Sequence, residues 1–329
     1  MDDLIKRIKS YGKEMAEMPF IGITSFFRAN LVQSWENLDI GLIGVPTDAA
    51  LSHRPGARYG PQAVRAQSGL IRYINPWTKV IPYDHVRVAD LGDVPICNTL
   101  NIDLLNGEIF DFYQRVHAAG IRPLSVGGDH SISFPILRAI AGSEPPALIH
   151  FDAHHDTAPE MKGSKFHHGA PFRNAVEAGV INPKRSVQVA IRDPYAEMTE
   201  AFALDHGMRV IGMPEVERLG VEGVIAQIRQ AVGDAPAYIS FDMDALDPTV
   251  APGTGTPVVG GLSTREAMRM VQGLAGLPIV GGDVVEVSPP FDPTGITALV
   301  GAQILFEILC VAALSPRAPV KKGGKKPKK

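Results

Sequence analysis

Ala147-Leu148-Ile149-His150-Phe151-Asp152-Ala153-His154-His155-Asp156 changes character halfway along: a short apolar run ends abruptly in carboxylates and imidazoles. An apolar run of this length with no polar alternation is the mark of a strand buried on both faces. The polar residues that follow it then sit at the strand's carboxyl end. Two other stretches repeat the pattern: Leu124-Ser125-Val126 runs into Gly127-Gly128-Asp129-His130, and Tyr238-Ile239-Ser240-Phe241 runs into Asp242-Met243-Asp244-Ala245-Leu246-Asp247.

Working outward, strand-like runs cover 40–45, 124–126, 147–151, 186–191, 210–211, 237–241 and 284–287, and helical spacing covers 4–18, 61–67, 103–119, 131–140, 215–232, 264–274 and 297–314. Ser263 before Thr264, with Glu266 three positions on, predicts a capping box. Strands alternating with helices imply an α/β fold with a mostly parallel sheet covered on both faces. No long Pro, Gly or Ser stretch and no fixed-period repeat interrupts the alternation, so residues 1–314 read as one domain, with 1–35 as an N-terminal extension at substrate or subunit contacts.

Net charge is −3, and the Lys-rich end from Lys321 to Lys329 contributes +6 of it, leaving the rest of the chain at −9. Residues 315–329 therefore read as a basic, solvated, disordered tail rather than a nucleic-acid or membrane anchor. The apolar stretch 298–314 contains Gln303 and Glu307 and falls short of the roughly 20 residues of a bilayer span. With no secretory pattern at the start, a cytoplasmic location is expected. The two cysteines, Cys97 and Cys310, suggest neither a disulfide framework nor a thiolate metal site.

In an extended segment alternate residues share a face, so Asp152, His154 and Asp156 are expected to point one way, and Asp242 with Asp244 likewise. With His130, six potential ligands converge. Four carboxylates crowded together repel one another unless cations compensate them. An oxygen-rich set with two imidazoles and no thiolate suits Mn²⁺, with Ni²⁺ as the alternative, and two ions bridged by a carboxylate is the natural occupancy.

These residues resemble the ureohydrolase family, which includes arginase, agmatinase and guanidinobutyrase. Three stretches carry the resemblance: Gly127-Gly128-Asp129-His130-Ser131; His150-Phe151-Asp152-Ala153-His154-His155-Asp156; and Ser240-Phe241-Asp242-Met243-Asp244-Ala245-Leu246-Asp247-Pro248 followed by Ala251-Pro252-Gly253-Thr254-Gly255. The stretch Arg54-Pro55-Gly56-Ala57-Arg58-Tyr59-Gly60-Pro61 looks more like the agmatinase and guanidinobutyrase branch than like arginase.

The resemblance implies a three-layer α/β/α arginase-like fold, a binuclear manganese site and a trimeric or hexameric homo-oligomer. It also matches Glu286 to the glutamate that holds the guanidinium and His168 to the proton-shuttling histidine, while Asp156 is the other candidate for proton transfer. His155 stands where the family usually has a small residue or Thr, which keeps nickel in play.

The expected activity is hydrolysis of a guanidino compound to urea and an amine. Free guanidine, or a substituted guanidine or biguanide such as metformin, is the alternative substrate class. A non-catalytic subunit paired with an active paralogue in a hetero-oligomer, and a one-zinc amide deacetylase, are the other classes weighed; the intact ligands argue against the first, and the complete second ligand set with Glu286 against the other. Lys162, Lys165 and Arg192 are candidate anchors for a substrate carboxylate, and Glu160, Asp193 and Glu197 for an amine. Asp129, Asp247 and Asp283 either orient the ligands or cap the adjoining turns.

Overall fold

A computed structural model describes residues 2–11, 18–161, 163–193 and 196–316. The tail beyond 316 and Lys162 therefore lie outside the described residues, as does part of the helix expected over 4–18. The apolar runs form strands β1 (Ile40–Val45), β2 (Val88–Asp93), β3 (Arg122–Gly127), β4 (Ala147–Phe151), β5 (Val187–Ile191), β6 (Arg209–Gly212), β7 (Ala237–Asp242) and β8 (Ile279–Val285). They make one sheet in the order β2-β1-β3-β8-β7-β4-β5-β6, and every pairing is parallel.

The helices are α1 (Asp2–Tyr11), α2 (Gly60–Ser68), α3 (Ile102–Ala118), α4 (Ser133–Ile140), α5 (Pro171–Glu177), α6 (Ala196–Asp205), α7 (Met213–Val232), α8 (Thr264–Gln272) and α9 (Ile296–Ala313). The period-2 alternation of the strands builds a core on each face of the sheet. Ile149, Phe151, Ile239 and Phe241 point into the side packed by α2, α7, α8 and α9, whereas Leu148 and Tyr238 point into the side packed by α3, α4, α5 and α6. The result is the expected three-layer arrangement.

Polar interruptions in these elements are answered locally. In α9, the fully buried Glu307 accepts from Asn75 at 2.7 Å, Gln303 at 2.9 Å and Gln272 at 3.1 Å, so an apolar core helix carries a carboxylate without an unsatisfied oxygen. The capping box forms as its spacing predicts, with Ser263 N–H donating to Glu266 at 2.9 Å.

Three elements escaped the sequence pattern. Strand β2 has Asp90, Gly92 and Asp93 in place of an apolar run, and Asp90 is buried because Arg65 bridges it at 2.9 Å. Helix α5 is only seven residues long, and α6 shows little amphipathic contrast.

The strand order has one consequence for chemistry. Strands β3, β8, β7 and β4 lie side by side at the middle of the sheet, although the chain visits them far apart. Their carboxyl ends bear His130, Glu286, Asp242 with Asp244, and Asp152 with His154 and Asp156. Ligands of open parallel sheets bind at such edges.

Candidate metal centre

His130 opens a short 3-10 turn after β3, held by Asp129, which accepts from the amides of Ser131 and Ala50 at 3.0 Å each. Its Nε2 is paired with Ser240 Oγ at 2.8 Å, and that hydroxyl donates onward to Asp283 at 2.6 Å. The carboxylate of Asp283 also accepts from Tyr238 and Ser133, each at 2.7 Å. Because Ser240 spends its proton on Asp283, His130 Nε2 carries the N–H and Nδ1 keeps the lone pair.

That Nδ1 is fully buried and has no aligned hydrogen-bond partner, yet carboxylate oxygens of Asp156, Asp152 and Asp242 crowd it at 2.9, 3.2 and 3.2 Å. Anions packed around one lone pair are what a cation's ligands look like.

A second group lies on the other side of Asp152. His154 Nδ1 is 3.4 Å from Asp152 Oδ1 and 3.1 Å from Asp244 Oδ2. Asp152 thus turns Oδ2 toward His130 and Oδ1 toward His154, the disposition of a bridging carboxylate. The six expected residues fit two divalent ions: one among His130, Asp152, Asp156 and Asp242, the other among Asp152, His154 and Asp244.

The expected cause of this convergence needs correction. Neither ligand segment is extended throughout. Asp156 has φ +51, in the left-handed region, and Asp242 is the N-cap of a 3-10 turn, accepting from the Asp244 amide at 2.8 Å. Turns, and not strand alternation, aim these side chains.

Glu286 follows β8 with φ +63, a strained conformation for a non-glycine residue, at a cost of about 1–3 kcal/mol. Its amide donates to Gly128 at 2.9 Å, and its Oε1 accepts from the His130 amide at 3.0 Å. Oε2 is buried without a partner. His168 Nδ1 lies 3.8 Å from Glu286 Oε1, and Nε2 pairs with Ser52 Oγ at 2.7 Å. The neighbouring His167 is occupied by Pro159 O at 2.9 Å and has a structural role.

Beside the ligands opens a cavity of about 660 Å³, lined by His154, Asp156, Asp242 and His168 and, among others, by Ser52, His53, Arg54, Asp193 and Thr256.

Burial raises Asp242, Asp244, Glu286 and Asp129 above the usual carboxylate range, with neighbouring acids adding to the effect. Burial and then the charge of Asp152 push Asp156 up to about 6. Burial would raise Asp152 too, but His150, His130 and His154 outweigh it and hold this carboxyl well below its ordinary value. His130 and His154 are pulled down by burial yet end raised by the carboxylates around them. Burial drives His168 and His150 down to about 4, so both are neutral at pH 7. A divalent cation relieves the repulsion and releases protons as it binds.

Of the candidate substrate anchors among the described residues, Asp193 lines the cavity and the others do not. Arg192 is spent otherwise: it donates to the carbonyls of Asp244 and Val258 at 2.6 Å each, of Ala190 at 3.0 Å and of Val259 at 3.2 Å. It clamps the Asp244 turn to the 258–259 loop and is no carboxylate anchor. Lys165, Glu160 and Glu197 are exposed side chains that do not line the cavity. Phe26 and Phe27, from the N-terminal extension, are buried in the core. Asp283 orients a ligand, whereas Asp129 and Asp247 cap turns, the latter accepting from the amides of Thr249 and Gly260 at 3.0 and 2.7 Å. His53 and Arg54 were missed as cavity residues, and His150, at the end of β4, was missed as the buried imidazole 2.8 Å behind Asp152.

A family model described as the arginase family matches residues 38–311. Guanidinopropionase from Pseudomonas aeruginosa is 50% identical over 307 residues, spanning 92% of this chain and 96% of that protein. A mitochondrial agmatinase from Gallus gallus is 45% identical over 293 residues, 88% of this chain and 86% of its own. The solved structure of proclavaminate amidino hydrolase from Streptomyces clavuligerus superposes with a TM-score of 0.87 at 37% identity, covering 90% of this chain and 99% of that one.

Proposed function

The chain belongs to the arginase family and is an amidinohydrolase of guanidino compounds, and from that premise we propose that it uses two divalent cations, Mn²⁺ ahead of Ni²⁺, to release urea from a short guanidino acid. The buried, unpartnered Oε2 of Glu286 carries the guanidinium reading, because a lone carboxylate oxygen close to the carboxylate-rich ligand cluster calls for a positively charged N–H donor. Arg54 in the lining of the same cavity supports a distal carboxylate, as does the similarity to a guanidinopropionase. Asp193 in that lining favours the second reading, an amine such as agmatine carries.

Cations held by His130, Asp152, His154, Asp156, Asp242 and Asp244 would supply a nucleophile ionised at neutral pH. The protein's own groups do the rest. Glu286 orients the guanidinium so that its carbon faces the ligand cluster. Asp156, which lines the cavity beside the ligand cluster, takes the proton that the nucleophile gives up. His168, which lines the cavity and pairs with the Ser52 hydroxyl at 2.7 Å, relays a proton from solvent to the departing amine. A homo-oligomer is part of the proposal, supported by the exposed apolar side chains of Phe20 and Ile23, 85% and 77% accessible.

A panel of 3-guanidinopropionate, 4-guanidinobutyrate, agmatine, guanidine and metformin, scored for urea release with Mn²⁺ and Ni²⁺ separately, tests the substrate and the metal together. A guanidino acid should be turned over fastest. Undiminished turnover by rigorously metal-free protein, or by Asp152→Ala, would sink the two-cation mechanism.

A further inference from the structure

Behind Asp152 runs a line of hydrogen bonds that the reaction above does not use. Gln188 on β5 stands in register with His150 on β4, and Gln188, His150 and His155 are all buried. The Gln188 side-chain nitrogen lies 2.7 Å from the backbone carbonyl of His155 and 3.1 Å from His150 Nδ1. Its oxygen lies 2.7 Å from His155 Nδ1. His150 Nε2 lies 2.8 Å from Asp152 Oδ2.

One backbone carbonyl sets the direction of the whole line. A carbonyl oxygen only accepts, so the amide nitrogen of Gln188 must face His155 O, which settles the amide orientation on chemical grounds. Its second N–H then points at His150 Nδ1, which must hold a lone pair. Neutral His150 consequently carries its proton on Nε2 and donates it to Asp152. At the other end, the Gln188 oxygen demands an N–H on His155 Nδ1, which anchors the amide from both sides.

We propose that Gln188 and His155 are positioning residues that hold His150 as a hydrogen-bond donor to Asp152, and so keep a third imidazole, 5.3 Å from the His130 ring, from ligating the metals. Without this constraint His150, His130 and Asp152, whose ligand atoms lie within 4.8 Å of one another, offer a three-ligand cation site of their own. His155 thus acts on the metal centre through two intermediaries, Gln188 and His150, and not as a ligand. The inference rests on the two-cation reading.

Solid-state ¹⁵N NMR of histidine-labelled protein loaded with Zn²⁺ reads the tautomers directly. The wild type should show His150 protonated at Nε2 and uncoordinated, and His155 protonated at Nδ1. Gln188→Leu should shift His150 toward the other tautomer and weaken Zn²⁺ binding, measured by chelator competition, by roughly 10–100-fold, the usual cost of losing a partner behind a ligand. His155→Phe, which leaves Gln188 anchored at its nitrogen end, should weaken binding less and decides the matter if the Leu variant does not fold. A metal-coordinated His150 in the wild type, or unaltered His150 tautomer and Zn²⁺ affinity in the folded variants, overturns the proposal. A wild-type chain that takes up no divalent cation overturns instead the reading beneath it.

Discussion

Arg192→Ala separates a clamp from a substrate anchor. The guanidinium makes three contacts of 3.0 Å or less, to the carbonyls of Asp244, Val258 and Ala190, and longer ones to Val259, Leu246 and Ala245. A hydrogen bond with one charged partner contributes about 1.5–3 kcal/mol, so the three short ones sum to at least about 4–5 kcal/mol gross. Arg192 is only half-buried, and water can reach part of the space left behind, so a net loss of about 3 kcal/mol is expected.

At about 2 °C per kcal/mol for a chain of this size, Tm should fall by roughly 6 °C. Because the clamp grips the carbonyl of Asp244 itself, metal retention should fall with it, and kcat at saturating metal should drop more than KM rises. Arg192→Lys keeps the charge but loses the planar fork and should recover less than half. Thermal unfolding, metal content by mass spectrometry and steady-state kinetics on the two variants measure all of this. A variant with unchanged Tm and metal content but a KM raised specifically for guanidino acids would refute the clamp and restore Arg192 as the carboxylate anchor.

Gly128→Ala would place a Cβ 2.2 Å from Thr47 O and 2.7 Å from Val45 O, so the backbone that carries both His130 and the Gly128–Glu286 hydrogen bond must shift; activity should fall about 100-fold, as a misplacement of about 1 Å costs in other sites, while the far-UV spectrum stays native. Glu286→Gln retains the hydrogen bond from His130 but removes the carboxylate proposed to face the guanidinium, so kcat/KM should drop by two to three orders of magnitude, on the order of 3–4 kcal/mol, with metal content unchanged by mass spectrometry. Metal-stripped protein should lose stability as pH rises from 4 to 6. Asp156 sits near 6 in the fold against 3.8 for the free side chain; the folded state therefore binds more protons in that window, and the slope of unfolding free energy with pH is negative there. The loss from this group alone is up to about 3 kcal/mol at 1.36 kcal/mol per unit, and added Mn²⁺ should reverse it; urea unfolding across that pH range checks the sign.

The chemistry of the site was legible residue by residue. His130, Asp152, His154, Asp156, Asp242 and Asp244 each follow an apolar run, and a run of buried strand residues ending in carboxylates reports on itself, since strand periodicity and burial are local properties of the chain. The α/β layering followed from the same alternation. Which strand lies beside which is not local: Glu286 and His130 share a hydrogen bond across 156 positions of sequence, and only the order β3-β8-β7-β4 makes them neighbours. Direction was equally hidden. A sequence names His130, His150 and His155 alike as imidazoles, whereas the partners of each ring decide which nitrogen carries the proton: Ser240 for the first, Gln188 for the other two. Arg192 shows the limit most plainly. Its charge alone suggested a substrate anchor, and the tertiary structure spends that charge on backbone carbonyls of two loops, because a buried turn needs its carbonyls satisfied before it can hold anything else in place.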